Sequence, residues 1–127
     1  MTTWDAAQVE LIELLPRAGR GPRREGVFAL WLVLRVAQDL LLDPPLAERN
    51  VRRRLTGLER RLSSLTVTPP LKRALLGALA ELRDRGAAAV PAVLANLVAP
   101  ARETAGIEAG EAIQRAARAV RPQAPSR

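Results

Sequence analysis

Residues 51–65 of the chain read VRRRLTGLERRLSSL, and their apolar side chains recur at helical intervals. Steps of four and three residues, the spacing of the a and d positions in packed helices, separate Val51, Leu55, Leu58, Leu62 and Leu65. At about 100° per residue, Thr56 and four arginines fall on the opposite face: Arg49, Arg52, Arg53 and Arg60. The pattern predicts a helix over about Leu46 to Leu65, with one packing side and one basic side.

Comparable spacing extends outward on both sides of this stretch, whereas no segment shows the period-two alternation of a strand. The predicted helices cover Thr3–Leu15, Arg23–Leu42, Leu46–Leu65, Pro69–Arg85 after an N-cap at Thr68, Ala88–Ala99 and Ala101–Arg121. Gly106 and Gly110 either split the last of these or let a neighbouring helix approach closely. We therefore expect an all-α fold, a compact bundle of five to six helices with short connections that contain proline and glycine. In this prediction residues 1–121 are a single helical domain and residues 122–127 a disordered C-terminal tail.

The helix before the quoted stretch contains an unbroken apolar run from Val27 to Leu34, so it should be the central helix. Arg35, Gln38 and Asp39 interrupt its apolar character, which argues against a membrane span of about 20 apolar residues. Arg35 and Asp39 are four residues apart and can pair on the exposed edge of the helix. The helix is therefore interpreted as buried in protein.

The same spacing predicts which large side chains lie in the core. Trp4, Phe28 and Trp31 are the aromatic residues of the chain, and all three are expected there. Buried rings cannot stack on nucleic-acid bases, which argues against a platform for single strands. In the last helical region, Ile107 and Ile113 are expected to face inward.

Histidine, cysteine and tyrosine are absent from the chain. Their absence removes Ser-His-Asp and Cys-His catalysis, zinc held by Cys or His, and the Glu-x-x-His motif of di-iron bundles. Two carboxylate pairs spaced three residues apart could share a proton or hold a cation, although solvated surface carboxylates explain them better: Glu10 with Glu13 and Glu108 with Glu111. We predict no enzyme activity and no cofactor. Freedom from cysteine and an N-terminus without signal-peptide character fit a cytoplasmic protein.

Positive charge is concentrated in one part of the chain, whose formal net charge is +7. Residues 17–73 contain 13 basic and 5 acidic residues, so this segment carries the whole excess. Lys72 is the only lysine, so nearly all of the basic residues are arginine. A GC-rich genome favours arginine codons in any protein, so part of the positive charge can arise without a function. Arginine's planar fork suits phosphate and carboxylate oxygens. The candidate residues for binding an anion or a partner are Arg17, Arg20, Arg23, Arg24, Arg49, Arg52, Arg53 and Arg60.

Two functions follow from these patterns. In the first, the chain is a non-catalytic protein-interaction or structural accessory module with a basic surface, whose Val51–Leu65 seam pairs with a partner helix or a second copy. In the second, arginines of residues 17–73 contact the phosphates of DNA or RNA, and the helices around Pro44–Pro45 imitate a helix-turn-helix with Arg49, Asn50 and Arg53 towards the bases. We favour the first, because the proline turn is not a distinctive match to that motif. Membrane contact is not expected.

Overall fold

In the computed structural model, the described residues, 3–41 and 48–120, form six α-helices and no strand. The helices are α1 (Thr3–Leu14), α2 (Pro22–Leu40), α3 (Glu48–Ser64), α4 (Pro69–Arg85), α5 (Val90–Ala105) and α6 (Ile107–Ala119). Short 3₁₀ turns lie at Pro16–Ala18 and Gly86–Ala89. The all-α fold of five to six helices with short connections is therefore confirmed. The predicted helix end at Pro44–Pro45 and the predicted tail at 122–127 lie outside the described residues.

Prolines stand in the first turn of three helices. Pro22 and Pro69 open α2 and α4, and Pro91 is the second residue of α5. The first N–H groups of a helix have no acceptor within it, so a proline loses no hydrogen bond there. Gly86 ends α4 with a φ of 64°, a left-handed conformation that residues with a side chain rarely adopt. Local sequence chemistry thus sets these helix ends.

The predicted helix boundary at Pro100 is wrong, because α5 continues through this proline to Ala105. A proline inside a helix removes one N–H, here the one that would bond to the carbonyl of Asn96. Continuing the helix buries Ala101 and Ala105 in the core, and the Thr104 hydroxyl donates to the Pro100 carbonyl at 2.6 Å. Tertiary packing therefore outweighs the local preference of the proline.

Gly106 and Gly110 were expected either to split the last helical region or to let a neighbouring helix approach closely. The structure shows one role at each glycine. Gly106, with a φ of 109°, separates α5 from α6. Gly110 lies within α6, where a Cβ would stand 2.8 Å from the Cβ of Arg102 on α5, so its bare backbone lets the two helices pack closely. Ile107 was expected to face inward but is 64% exposed. It precedes the buried Ile113 by six residues, which places it about 120° around the helix.

The central position of α2 is as its apolar sequence predicts. This helix contacts each of the other five helices. Its inward side chains have almost no exposed surface: Val27, Ala29, Leu30, Val33, Leu34 and Ala37. A helix that is apolar on most sides is stable only when neighbours cover it, so the other helices assemble around α2. Within the described residues, no helix combines the length and the apolar character that crossing a bilayer requires.

The α3 helix packs against α2 and α4, its only helical neighbours among the described residues. Leu55, Leu58 and Leu62 are 2%, 6% and 1% exposed, and Val51 and Leu65 pack half-buried against the same core. Other helices of this chain therefore cover the apolar seam read from the sequence. The opposite side of α3 faces solvent.

The α2 and α3 helices lie side by side and antiparallel. The Thr66 N–H, just after α3, donates to Glu25 in the first turn of α2 at 3.1 Å. At the other end, Arg54 of α3 forms an ion pair with Asp39 of α2. The turn of the proposed helix-turn-helix, at Pro44–Pro45, lies outside the described residues, so that form of the nucleic-acid hypothesis stays a prediction. The predicted partner of Asp39 was wrong, since Asp39 pairs with Arg54 and not with Arg35.

Candidate functional site

The arginines singled out from the sequence do not lie on a single surface. Four of them are exposed on the solvent side of α3, and we call them the α3 arginine strip: Arg49, Arg52, Arg53 and Arg60. Three of these, Arg49, Arg53 and Arg60, form no ion pair with another described residue. The strip is therefore a row of positive charge on one helix.

The other four candidate arginines lie around the connection between α1 and α2, and two of them help to hold the fold. Arg17 pairs with Glu108 of α6 at 2.8 Å. The Arg23 Nε–H donates to the carbonyl of Ala105 at 3.4 Å. Ala105 is the last residue of α5. Carbonyl groups at the end of a helix have no N–H donor within the helix, so a hydrogen bond from a side chain is favourable there. The remaining two candidates are exposed to solvent: Arg20 and Arg24.

A groove with a volume of about 410 Å³ runs between α2 and α3, and we call it the α2–α3 groove. Its apolar lining comes from Leu32 and Val36, which are half-buried, and from the buried Leu58. Trp31 of α2 and Gly57 of α3 also line it. Three exposed arginines also line it: Arg35, Arg54 and Arg61. The groove thus combines an apolar surface with a basic border.

Two aromatic rings stack beside this groove. The centroids of Phe28 and Trp31 lie 6.1 Å apart, with the ring planes inclined by 20°. The guanidinium carbon of Arg35 lies 5.8 Å from the Trp31 centroid, and that of Arg61 lies 5.1 Å from the Phe28 centroid. A guanidinium over a ring is held by the ring's quadrupole, and its N–H groups stay available for a carboxylate. Both rings are half-buried. The expected core position is confirmed for Trp4 and holds in part for Trp31, which packs against the core, but it is wrong for Phe28.

The sequence carries a signal for this arrangement that the prediction missed. Arg24, Phe28, Trp31 and Arg35 recur at steps of four, three and four residues, which places them on one stripe of a helix. That stripe differs from the one that α2 buries. The unbroken apolar run of residues 27–34 hides it, because every position in the run looks suited to a core.

The charges that line the α2–α3 groove are mostly uncompensated. Asp39 is the only carboxylate among the described residues that line it, and Arg54 already neutralises that group. Arg35 and Arg61 form no ion pair with another described residue. The groove is therefore complementary to a surface that carries carboxylates beside apolar side chains.

The carboxylates of the first and last helices meet in a cavity of about 750 Å³, together with Arg17 and Arg115: Glu10, Glu13, Glu108 and Glu111. Arg115 pairs with Glu10, and Arg17 pairs with Glu108. Nowhere in the described parts of the chain do three or more His, Cys, Asp or Glu side chains form a group that could hold a metal ion. The two sequence-derived carboxylate pairs are thus partly neutralised by arginines that cross-link the helices.

A further groove, of about 810 Å³, lies on α5 and α6 and is mostly apolar. Small side chains make up most of its lining: Ala88, Pro91, Ala92, Ala95, Val98, Ala99 and Ala117. Among the described residues that line it, Arg118 is the one with a charge, and none has an aromatic ring. This surface has little chemistry that could select a partner.

The α2–α3 groove thus combines apolar side chains with exposed arginines, and the α3 arginine strip consists of exposed arginines. Helical bundles of this kind serve many unrelated functions, so the fold alone selects none of them. Comparison with protein families, with curated proteins and with solved structures found no match to this chain.

Proposed function

We propose that the chain is a non-catalytic protein-interaction module that binds a partner protein at the α2–α3 groove. The observation that carries this proposal is the half-buried Phe28–Trp31 pair, with Arg35 and Arg61 over its rings. Tryptophan and arginine are among the residue types that most often dominate the binding energy of a protein interface. Packing within the chain leaves these rings and guanidinium groups partly at the surface, where a partner could cover them.

The rigidity of the site also favours binding. Trp31 and Phe28 belong to the central helix α2, and their rings are stacked on each other and under arginines. Side chains that are already ordered lose little conformational freedom when a partner covers them. A partner would therefore gain most of the contact energy of these groups.

Affinity capture with the full chain tests this proposal. The wild-type chain should retain a partner protein from an extract of its source cells, and Trp31→Ala should retain it about tenfold less well or worse, as expected for a residue that dominates an interface. Arg102→Ala is the matched control, because Arg102 is exposed on α5 and lies outside the groove. Light scattering at several concentrations shows whether the partner is a second copy.

Two outcomes would contradict the proposal. The first is that the wild-type chain captures no protein and stays monomeric. The second is that Trp31→Ala and Arg102→Ala capture the partner equally well, because the rings beside the α2–α3 groove would then make no contribution.

A second candidate function, binding to DNA or RNA phosphates, is favoured by the α3 arginine strip. Arg49, Arg53 and Arg60 are exposed without a carboxylate partner among the described residues. Arginines on one helix face can replace the counterions of a nucleic-acid backbone, and such binding weakens steeply as salt is raised. This candidate does not need the helix-turn-helix geometry.

Gel retardation at low salt separates this candidate from the first. If phosphate binding is the function, the Arg53→Glu/Arg60→Glu double variant should lose retardation of duplex and single-stranded probes. The double variant Arg102→Glu/Arg118→Glu changes the net charge equally on exposed positions of α5 and α6, and should keep it. Equal loss by both variants would assign the effect to net charge, and no retardation by the wild-type chain would remove the candidate.

A further inference from the structure

Gly57 differs from the glycines that the packing of this chain requires. A Cβ built on Gly26 would stand 3.0 Å from the Leu71 side chain, and one on Gly110 would stand 2.8 Å from Arg102. A Cβ built on Gly57 meets no heavy atom within 4 Å. The fold therefore has room for a side chain at position 57.

A glycine in the middle of an exposed helix is unfavourable for helix stability compared with alanine. Gly57 lies well inside α3 and lines the α2–α3 groove, as Trp31 of α2 does. The missing side chain leaves the groove open at this point, so another backbone can approach closely there. The apolar residues and the arginines described above line the same groove as Gly57.

Charge defines the chemistry of a molecule that could fill this space. Arg35 from α2 and Arg61 from α3 line the groove from its two sides, and neither pairs with a carboxylate of the described residues. Each is held over an aromatic ring, so its planar fork is already ordered for a carboxylate. A partner with carboxylates on both flanks of an apolar row would match the groove.

We infer that the α2–α3 groove binds an amphipathic helix of a partner protein, which lays its apolar row over Gly57 and directs carboxylates at Arg35 and Arg61. This inference rests on the proposed function and specifies the partner's chemistry. Docking an amphipathic helix in a groove between two helices is a common mode of recognition, with apolar anchors at every third or fourth residue. Acidic flanks add specificity and accelerate the encounter.

Two synthetic peptides of about 18 residues, long enough to form a helix, test the inference. Both carry the same row of leucines at helical spacing, and the flanking positions are glutamates in one and lysines in the other. With labelled peptide and the full chain in low salt, fluorescence anisotropy should show binding of the glutamate peptide that is about tenfold tighter or more. Gly57→Leu should weaken this binding by a similar factor, because the leucine fills the groove.

Gly77→Leu is the matched control, since Gly77 lies exposed within α4 and a Cβ there also meets nothing within 4 Å. No binding of the glutamate peptide, equal binding of both peptides, or equal effects of the two leucine variants would overturn the inference. Displacement of the bound peptide by duplex DNA would assign the groove to nucleic acid and would also overturn it. If partner capture still depends on Trp31, only the helix inference fails; if capture does not depend on Trp31, the proposed function fails as well.

Discussion

Three glycines of this chain have different surroundings, and alanine at each should change stability in a predictable direction. Gly57 and Gly77 lie in exposed helical positions with room for a Cβ, so alanine at either should raise the free energy of unfolding by about 0.5–1 kcal/mol. At Gly110 the Cβ would approach the Arg102 Cβ to 2.8 Å and its Cα to 3.1 Å, so alanine should lower stability. Urea denaturation of the three variants measures these effects.

Opposite effects on stability and binding would identify Gly57 as a binding position. Gly57→Ala should make the free chain more stable while it weakens partner binding, whereas Gly77→Ala should change only stability. A Gly57→Ala chain that is less stable than the wild type would show that the glycine is needed by the fold, and the argument from open space would fail.

At the scale of one helix, Pro100 tests how far packing overrides local preference. The proline interrupts the hydrogen bonding of α5, yet the helix continues to Ala105. Pro100→Ala restores the N–H that can bond to the Asn96 carbonyl, and should raise the free energy of unfolding by about 1–3 kcal/mol. Chemical denaturation followed by circular dichroism measures it. A decrease would mean that ring contacts of the half-buried Pro100 outweigh the lost hydrogen bond.

Helical spacing was sufficient to predict the six helical regions and the leucine seam, because burial of apolar side chains every three to four residues is a local property of the sequence. The helix ends at Pro69 and Gly86 were also predictable, because the backbone preferences of proline and glycine are local properties as well. The passage of α5 through Pro100 was not, because it depends on the burial of Ala101 and Ala105 by other helices. The exposure of apolar residues likewise depends on which neighbours cover them.

The candidate site was predicted less well than the fold. The arginines chosen as candidates from the sequence were expected to act together, but Arg17 and Arg23 contact residues of α6 and α5. The groove itself depends on the antiparallel contact of α2 with α3, which the sequence pattern does not specify. Phe28 and Trp31 lie within an apolar run, and only the placement of α3 leaves their rings half-covered.

Over the whole molecule, exposed charges differ in their surroundings from one side of the bundle to the other. Between the α1 side and α6, arginines and carboxylates form cross-links such as Arg115 with Glu10. Along α2 and α3, Arg35 and Arg61 lie over aromatic rings, and the α3 arginine strip faces solvent. Arg35 and Arg61 form no ion pair with another described residue, and this contrast with the paired arginines near α6 is why we propose binding along α2 and α3.

The contact between the first and last helices shows which forces unite the molecule. Two exposed ion pairs join the α1 side to α6, Glu10 with Arg115 and Arg17 with Glu108, while Leu11 of α1 is fully buried. Exposed pairs contribute only about 0–1 kcal/mol each, whereas truncation of a buried leucine to alanine removes about 2–5 kcal/mol.

We therefore expect the Glu10→Gln/Glu108→Gln double variant to unfold at nearly the wild-type urea concentration, and to differ less as salt is raised. Leu11→Ala should unfold at a much lower concentration, with circular dichroism and tryptophan fluorescence changing together. A larger loss from the glutamine variant than from Leu11→Ala would mean that charge pairing dominates this contact. In that case the main role of the arginines of residues 17–73 would be to stabilise the fold through ion pairs. The argument that those on α2 and α3 form a binding surface would then be weaker.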